Sequence, residues 1–155
     1  MSFIPNNDLQ KQILKGHIWT GGYTQEISVG VPATINIAVG TKKTSFILEL
    51  YTEGYIQVQI TEGTTDPISG VLTDINMERS GSYSKETVVH QTAAGVGGSV
   101  IITRQIPAGL SGATTQFSGE APLILKESTN YEYEISVLGA YPVDCQLVWY
   151  YREIN

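Results

Sequence analysis

Ile56-Gln57-Val58-Gln59-Ile60 alternates apolar and polar side chains without a break. A period of two marks a strand with one face buried and the other wet. Tyr131-Glu132-Tyr133-Glu134-Ile135-Ser136-Val137 repeats the pattern, so its odd-numbered residues are predicted to face a core and Glu132, Glu134 and Ser136 the solvent. Ala33-Thr34-Ile35-Asn36-Ile37-Ala38-Val39 alternates less cleanly. Phe46-Ile47-Leu48-Glu49-Leu50-Tyr51 and Leu147-Val148-Trp149-Tyr150-Tyr151 are nearly continuous apolar runs, as expected where a strand is covered on both faces, by its own domain or by a partner subunit. Shorter strands are expected at Thr87–Gln91, Ser99–Arg104 and Leu123–Lys126. Gly and Pro punctuate these runs, from Gly30 and Pro32 to Gly139 and Pro142. Many short strands with no helical stretch between them point to an all-β fold: an antiparallel β-sandwich, jelly-roll-like.

Composition agrees. Ile (17), Val (12) and Thr (16) favour strands over helices in a chain of 155 residues, and charged residues make up only 15%. The length suits one domain. We read residues 1–15 as an N-terminal arm and 16–155 as a single sandwich domain. The arm carries apolar Phe3, Ile4, Leu9, Ile13 and Leu14 among polar neighbours, and Asp8 could cap a short helix with Leu9 and Ile13 on one face. Apolar side chains beside Pro5 suit docking on a neighbouring subunit. Glu78–Lys85 and the Gly/Ser/Thr-rich Ala108–Gly119 read as long loops, candidates for contact with partners.

The charge balance, −6, and its scatter argue against two partner classes. Nucleic acid requires clustered Lys and Arg to neutralise phosphates, and here only Lys42-Lys43 are adjacent. An anionic membrane surface is disfavoured on the same ground. No apolar run approaches the ~18–20 residues that span a bilayer, and the first residues do not have the pattern of a signal peptide. Cys145 is the only cysteine; alternating with Leu147, it reads as a small buried side chain.

No catalytic constellation emerges. His17 and His90 lie in different segments, no Gly-x-Ser-x-Gly elbow exists, and one Cys with two separate His does not make a zinc set. Asp74-Ile75-Asn76-Met77-Glu78 alternates oxygen ligands, yet Arg79 stands where a calcium loop needs Gly, so the stretch reads as a strand ending in a turn. Gly95-Val96-Gly97-Gly98-Ser99 leads into a strand, whereas a phosphate loop opens a helix. Glu132 and Glu134 share a strand face, and Glu49 and Glu53 lie near Tyr51 and Tyr55, so a glycoside-cleaving carboxylate pair would need one of these couples in a cleft. No catalytic residue, metal ligand or cofactor is assigned.

Aromatic usage is more informative. Nine Tyr and two Trp against three Phe suit surfaces buried against a partner. In Trp19-Thr20-Gly21-Gly22-Tyr23 the paired glycines read as a turn, with aromatics on either side. At the other terminus Trp149 is expected in the core, and Tyr150 and Tyr151 point opposite ways. The interface candidates are Phe3, Ile4, Leu9, Trp19, Tyr23, Arg79, Tyr150 and Tyr151.

Three stretches carry a family resemblance across most of residues 16–151. They are Gly16-His17-Ile18-Trp19-Thr20-Gly21-Gly22-Tyr23; the block from Thr61-Glu62-Gly63 through Gly70, Asn76 and Arg79-Ser80 to Thr87-Val88-Val89; and Leu123-Ile124-Leu125-Lys126-Glu127-Ser128-Thr129-Asn130-Tyr131. With the closing Leu147–Tyr151 strand, the chain resembles the head decoration, cement or capsid-stabilising virion proteins of tailed bacteriophages. That resemblance implies a sandwich that forms a homo-oligomer, a trimer, on the outer surface of the capsid. Its partners would be the major capsid protein and itself, with no direct nucleic acid and no membrane. It also implies synthesis in the host cytoplasm, location in the virion and no enzyme activity. The competing expectation is a carbohydrate- or receptor-binding β-sandwich module of a phage tail fibre or baseplate, with Trp19, Tyr23, Tyr51 or Tyr55 in an exposed concave site. A small sandwich enzyme acting on glycans is the third.

Overall fold

The computed structural model describes residues 17–65, 67–79, 83–91, 95–107, 115–117 and 123–154, so the arm residues Phe3, Ile4 and Leu9 lie outside the described residues. Eleven strands follow in chain order: β1 (Trp19–Ile27), β2 (Ala33–Ala38), β3 (Lys43–Thr52), β4 (Ile56–Glu62), β5 (Asp74–Asn76), β6 (Val88–His90), β7 (Ser99–Ile106), β8 (Thr115–Phe117), β9 (Leu123–Leu125), β10 (Asn130–Val137) and β11 (Val143–Ile154). One sheet runs β5-β1-β11-β3-β8, with β9 also on β3; the other runs β6-β2-β10-β4-β7, and all pairings are antiparallel. Successive strands alternate between the sheets except at β6 and β7, both in the second sheet, and at β8 and β9, both on β3 in the first. Without β5 and β6, the order β1-β11-β3-β8/β9 over β2-β10-β4-β7 is the double Greek key of a jelly roll. The fold class is therefore the expected antiparallel β-sandwich.

Strands form where the two-residue period is cleanest. Ile56, Val58 and Ile60 of β4 are buried, and Gln57 and Gln59 between them are not. Tyr131, Tyr133, Ile135 and Val137 of β10 face the same core. Facing them are Phe46, Leu48 and Leu50 of β3 and Leu147, Trp149 and Tyr151 of β11. Phe46 ties the layers together: its ring lies 5.5 Å from Tyr133 across the sandwich and stacks 6.1 Å from Tyr151 in its own sheet. Each large apolar side chain so buried stabilises the fold by roughly 1.5–3 kcal/mol. β3 is covered on both faces as expected, with Ile47 and Glu49 of its outer side also buried.

Residues 63–98 form an insertion between β4 and β7. It crosses to the far edge of the sandwich, where β5 joins β1 and β6 joins β2. The two sheets are laced together there. Leu72 N–H donates to Val89 O at 2.9 Å, and Gln91 N–H to Gly70 O at 2.9 Å. The insertion returns through Gly97 and Gly98, whose φ of 78° and 85° suits glycine in the turn before β7.

Three expectations need correction. Gly21-Gly22 is not a turn but the middle of β1. A Cβ on Gly21 would run into the Trp149 ring and the Thr73 carbonyl, so glycine is there to admit the indole. Glu132 does not face solvent. It is buried because the insertion lies over the outer side of β10, and its carboxylate accepts the Gly95 N–H. The stretch 108–119 is not all loop, since Thr115–Phe117 pairs with Leu50–Thr52 as β8.

Candidate functional site

Among the described residues, the sequence-predicted interface candidates do not converge on one site. Trp19 and Tyr151 do come together, on cross-strand neighbouring positions of β1 and β11. Between them the Lys85 ammonium lies 5.1 Å from the Trp19 ring and 5.6 Å from the Tyr151 ring. Lys85 also pairs with Asp74 at 3.3 Å and donates to Thr87 O at 3.1 Å, while the Tyr151 hydroxyl donates to the other Asp74 oxygen. The result is a cation held between two aromatic faces with its counter-ion beside it. Burial and the Asp74 carboxylate push the Tyr151 phenol well above its usual range. Tyr151 thus belongs to the core. Tyr23 packs edge-on against Trp149 with centroids 6.0 Å apart, and burial pushes its phenol to about 12. Tyr150 points outward, half-buried beside Glu49, and Arg79 is exposed past the end of β5.

Most carboxylates that could do chemistry are already engaged. At the polar end of the interior, one Glu153 oxygen accepts from Glu86 N–H at 3.0 Å, Thr87 N–H at 3.2 Å and the Thr87 hydroxyl at 3.3 Å. Thr87 in turn meets the Thr44 hydroxyl at 2.7 Å. Glu62 accepts from Lys126 and the Tyr131 hydroxyl, each at 2.8 Å, and these bonds hold its carboxyl below the usual range. On the outer side of β3, the buried Glu49 accepts the Tyr51 hydroxyl at 2.7 Å; that bond is the main cause of the phenol's rise to about 12. The other Glu49 oxygen has no partner. Cys145 is buried, which pushes its thiol up to about 11, a poor nucleophile. Among the described residues no three His, Cys, Asp or Glu side chains stand close enough to hold a metal ion.

What the sandwich presents outward is apolar surface in three places. The first is β7, an edge strand that among the described residues is hydrogen-bonded on one side only, to β4. Its Val100, Ile101 and Ile102 are exposed, and Arg104 is its only charge. An edge this long and this lightly charged lacks the usual guards against pairing. The second is the insertion, with Ile68, Val71, Ile75 and Val96 exposed. The third is one end of the sandwich, where three connections meet: residues 28–32, 53–55 and 138–142. Val31 (65% exposed) and Tyr141 (80%) stand there with Val29, Tyr55 and Leu138. These connections touch. Leu138 N–H donates to Tyr55 O at 2.8 Å, Ile27 pairs with Val143, and Gly54 packs so closely on Val143 that a Cβ would not fit. Sequence reasoning missed this third surface. Its signal is Val29-Gly30-Val31-Pro32, a turn that carries valines where turns are usually polar.

No family model matches the sequence, and no curated protein matches it. Among solved structures the chain is similar to the infectious bursal disease virus VP2 subviral particle, at 11% identity and a TM-score of 0.30. The match covers 89% of this chain and 37% of that one, so the chain spans little more than a third of that structure's length.

Proposed function

We propose that this chain is a structural virion protein that binds the outside of a phage capsid and stabilises it, without catalysis. The observation that carries the reading is the distribution of exposed apolar side chains. They gather on an edge strand, on one insertion and on one loop end of a laced sandwich, and such patches mark protein contact. The likeness of Gly16–Tyr23, Thr61–Val89 and Leu123–Tyr131 to decoration proteins supports the same reading. A self-associating chain that contacts the major capsid protein at many symmetric positions would stabilise the assembled shell by mass action. The carbohydrate-binding alternative draws less support. Trp19 is covered by Lys85, Tyr23 packs on Trp149, and the hydroxyls of Tyr51 and Tyr55 are tied to Glu49 and Gln105.

The test mixes the purified protein with capsids that lack it, followed by pelleting and imaging. Saturable binding at regular surface positions is the expected result, together with greater resistance of the shells to heat and low ionic strength. Protein that stays in the supernatant and binds glycans instead would overturn the reading in favour of a receptor-binding module.

A further inference from the structure

The end of the sandwich built by residues 28–32, 53–55 and 138–142 combines two properties that are poorly explained by folding. Val31 and Tyr141 hold apolar area in water at 65% and 80% exposure, on turns that could have been polar. Beside them stand three carboxylates without a cation. Glu26 and Asp144 are cross-strand neighbours in β1 and β11, and both are exposed. Like charges directly opposite each other in an antiparallel pair are unfavourable. Glu53 and Asp144 line one open depression of about 590 Å³ with Gly54, Pro142 and Val143. Among the described residues none of these three carboxylates has a hydrogen-bond or ion-pair partner, and the three connections contain no Lys or Arg. Two other acids do have a cation, Asp74 with Lys85 and Glu62 with Lys126. A like-charge cross-strand pair left unrelieved beside exposed apolar side chains points to an external partner.

We infer that this loop end is the face that docks on the capsid, and that it meets a basic patch bordered by apolar side chains on the capsid protein's outer surface. This rests on the decoration reading above. Charge complementarity selects the occupant. A lysine or arginine entering the depression between Glu53 and Asp144 relieves the repulsion along the β1–β11 pair, while Val31 and Tyr141 cover apolar surface around it. A second copy docking by the same face would set Glu26, Glu53 and Asp144 against their own equivalents, because a two-fold contact is self-complementary. The loop end is therefore unsuited to a two-fold contact with its own copy.

The experiment measures binding of the full chain and its variants to capsids that lack it, at two salt concentrations. The first variant is Val31→Ser with Tyr141→Ser, the second Glu53→Gln with Asp144→Asn, and Glu127→Gln, an exposed carboxylate at the opposite end, is the comparison. Each loop-end variant is expected to lose about tenfold or more in affinity. The carboxylate variant should also lose salt dependence, and Glu127→Gln should bind as the parent does. A photo-crosslinking residue at position 141 should capture the capsid protein, which keeps the test informative even for a variant that folds poorly. Parent binding that both loop-end variants retain in full, with no crosslink from position 141, overturns the inference and leaves the decoration reading standing. A change in oligomeric state in place of capsid affinity also overturns it. Parent protein that binds no capsid at all overturns both.

Discussion

At the end of the sandwich where the insertion folds back, Glu153 accepts from two backbone N–H groups and a hydroxyl. Asp74 accepts from Lys85 and Tyr151, and Glu86 from Thr41. At the opposite end Glu26, Glu53 and Asp144 accept from nothing among the described residues. The two ends share a backbone frame and differ in what their polar groups are for. The insertion end is a polar plug that closes the interior and fastens 36 residues of chain between β4 and β7. The loop end closes itself with short connections, so its side chains are free to face outward. Substitutions should therefore cost stability at the first end and almost none at the second.

The largest effect is expected from Glu153→Ala. It leaves two backbone N–H groups and the Thr87 hydroxyl in a buried setting without their acceptor, and each such loss costs about 1–3 kcal/mol when unrelieved. A total near 3 kcal/mol should appear as a lower urea midpoint. Glu153→Gln, whose amide oxygen can still accept, should recover part of it. Next comes Gly21→Ala, which drives a methyl into the Trp149 ring and should cost about 1–3 kcal/mol with a changed near-ultraviolet dichroism. Its counterpart at the loop end is Gly139→Ala, where nothing lies within 4 Å of the added carbon. That change should stay within about 0.5 kcal/mol of the parent. Equal costs at positions 21 and 139 would erase the distinction between the ends.

How far the sequence reveals this contrast depends on range. The alternation in Ile56–Ile60 and Tyr131–Val137 reports burial directly, because adjacent side chains of a strand sample opposite faces. The same alternation misplaces Glu132, since it cannot say that Gly95 will arrive from another part of the chain to cover the outer side of β10. Paired glycines at 21 and 22 carry a strong local turn signal, and the reason they sit in a strand is an indole on β11. Thr115–Phe117 is too short to show any period within its Gly/Ser/Thr-rich surroundings. Among the interface candidates, the aromatic type of Tyr151 suggested a surface, but Asp74 and Lys85 draw it into the interior. Val31 and Tyr141 went unnoticed because a turn residue is judged by its backbone needs, and exposure is set by the loops around it.

Acid should act on the insertion end before it acts on the loops. The Thr41 hydroxyl, and after it the Thr41 N–H, hold the Glu86 carboxyl below its ordinary value of 4.5; Lys126, and after it Tyr131, do the same for Glu62. Both groups bind protons less readily folded than unfolded. Their contribution is present above about 4.5 and is lost as pH falls through the lower folded values. Glu86 is exposed and Glu62 only half-buried, so the loss is small. Urea midpoints should decline as pH falls from neutrality to about 3, and Glu86→Gln should flatten the decline. A decline just as steep in Glu86→Gln would remove the Thr41 contact from the stabilising set.

The smallest effect expected is also the one that bears most on function. Val31→Thr and Tyr141→Ser each remove apolar surface that the fold leaves in water, so neither opens a cavity nor strands a buried polar group. Surface changes of that kind fall within about 0.5 kcal/mol of the parent. If melting and urea midpoints stay put, the energetic value of these side chains lies outside the folding of the chain, and a partner is what remains to explain them. If Tyr141→Ser lowers the midpoint as far as Gly21→Ala does, the tyrosine packs on its own sandwich in solution. The loop end would then be a second plug like the insertion end, with its three unpaired carboxylates still to be neutralised.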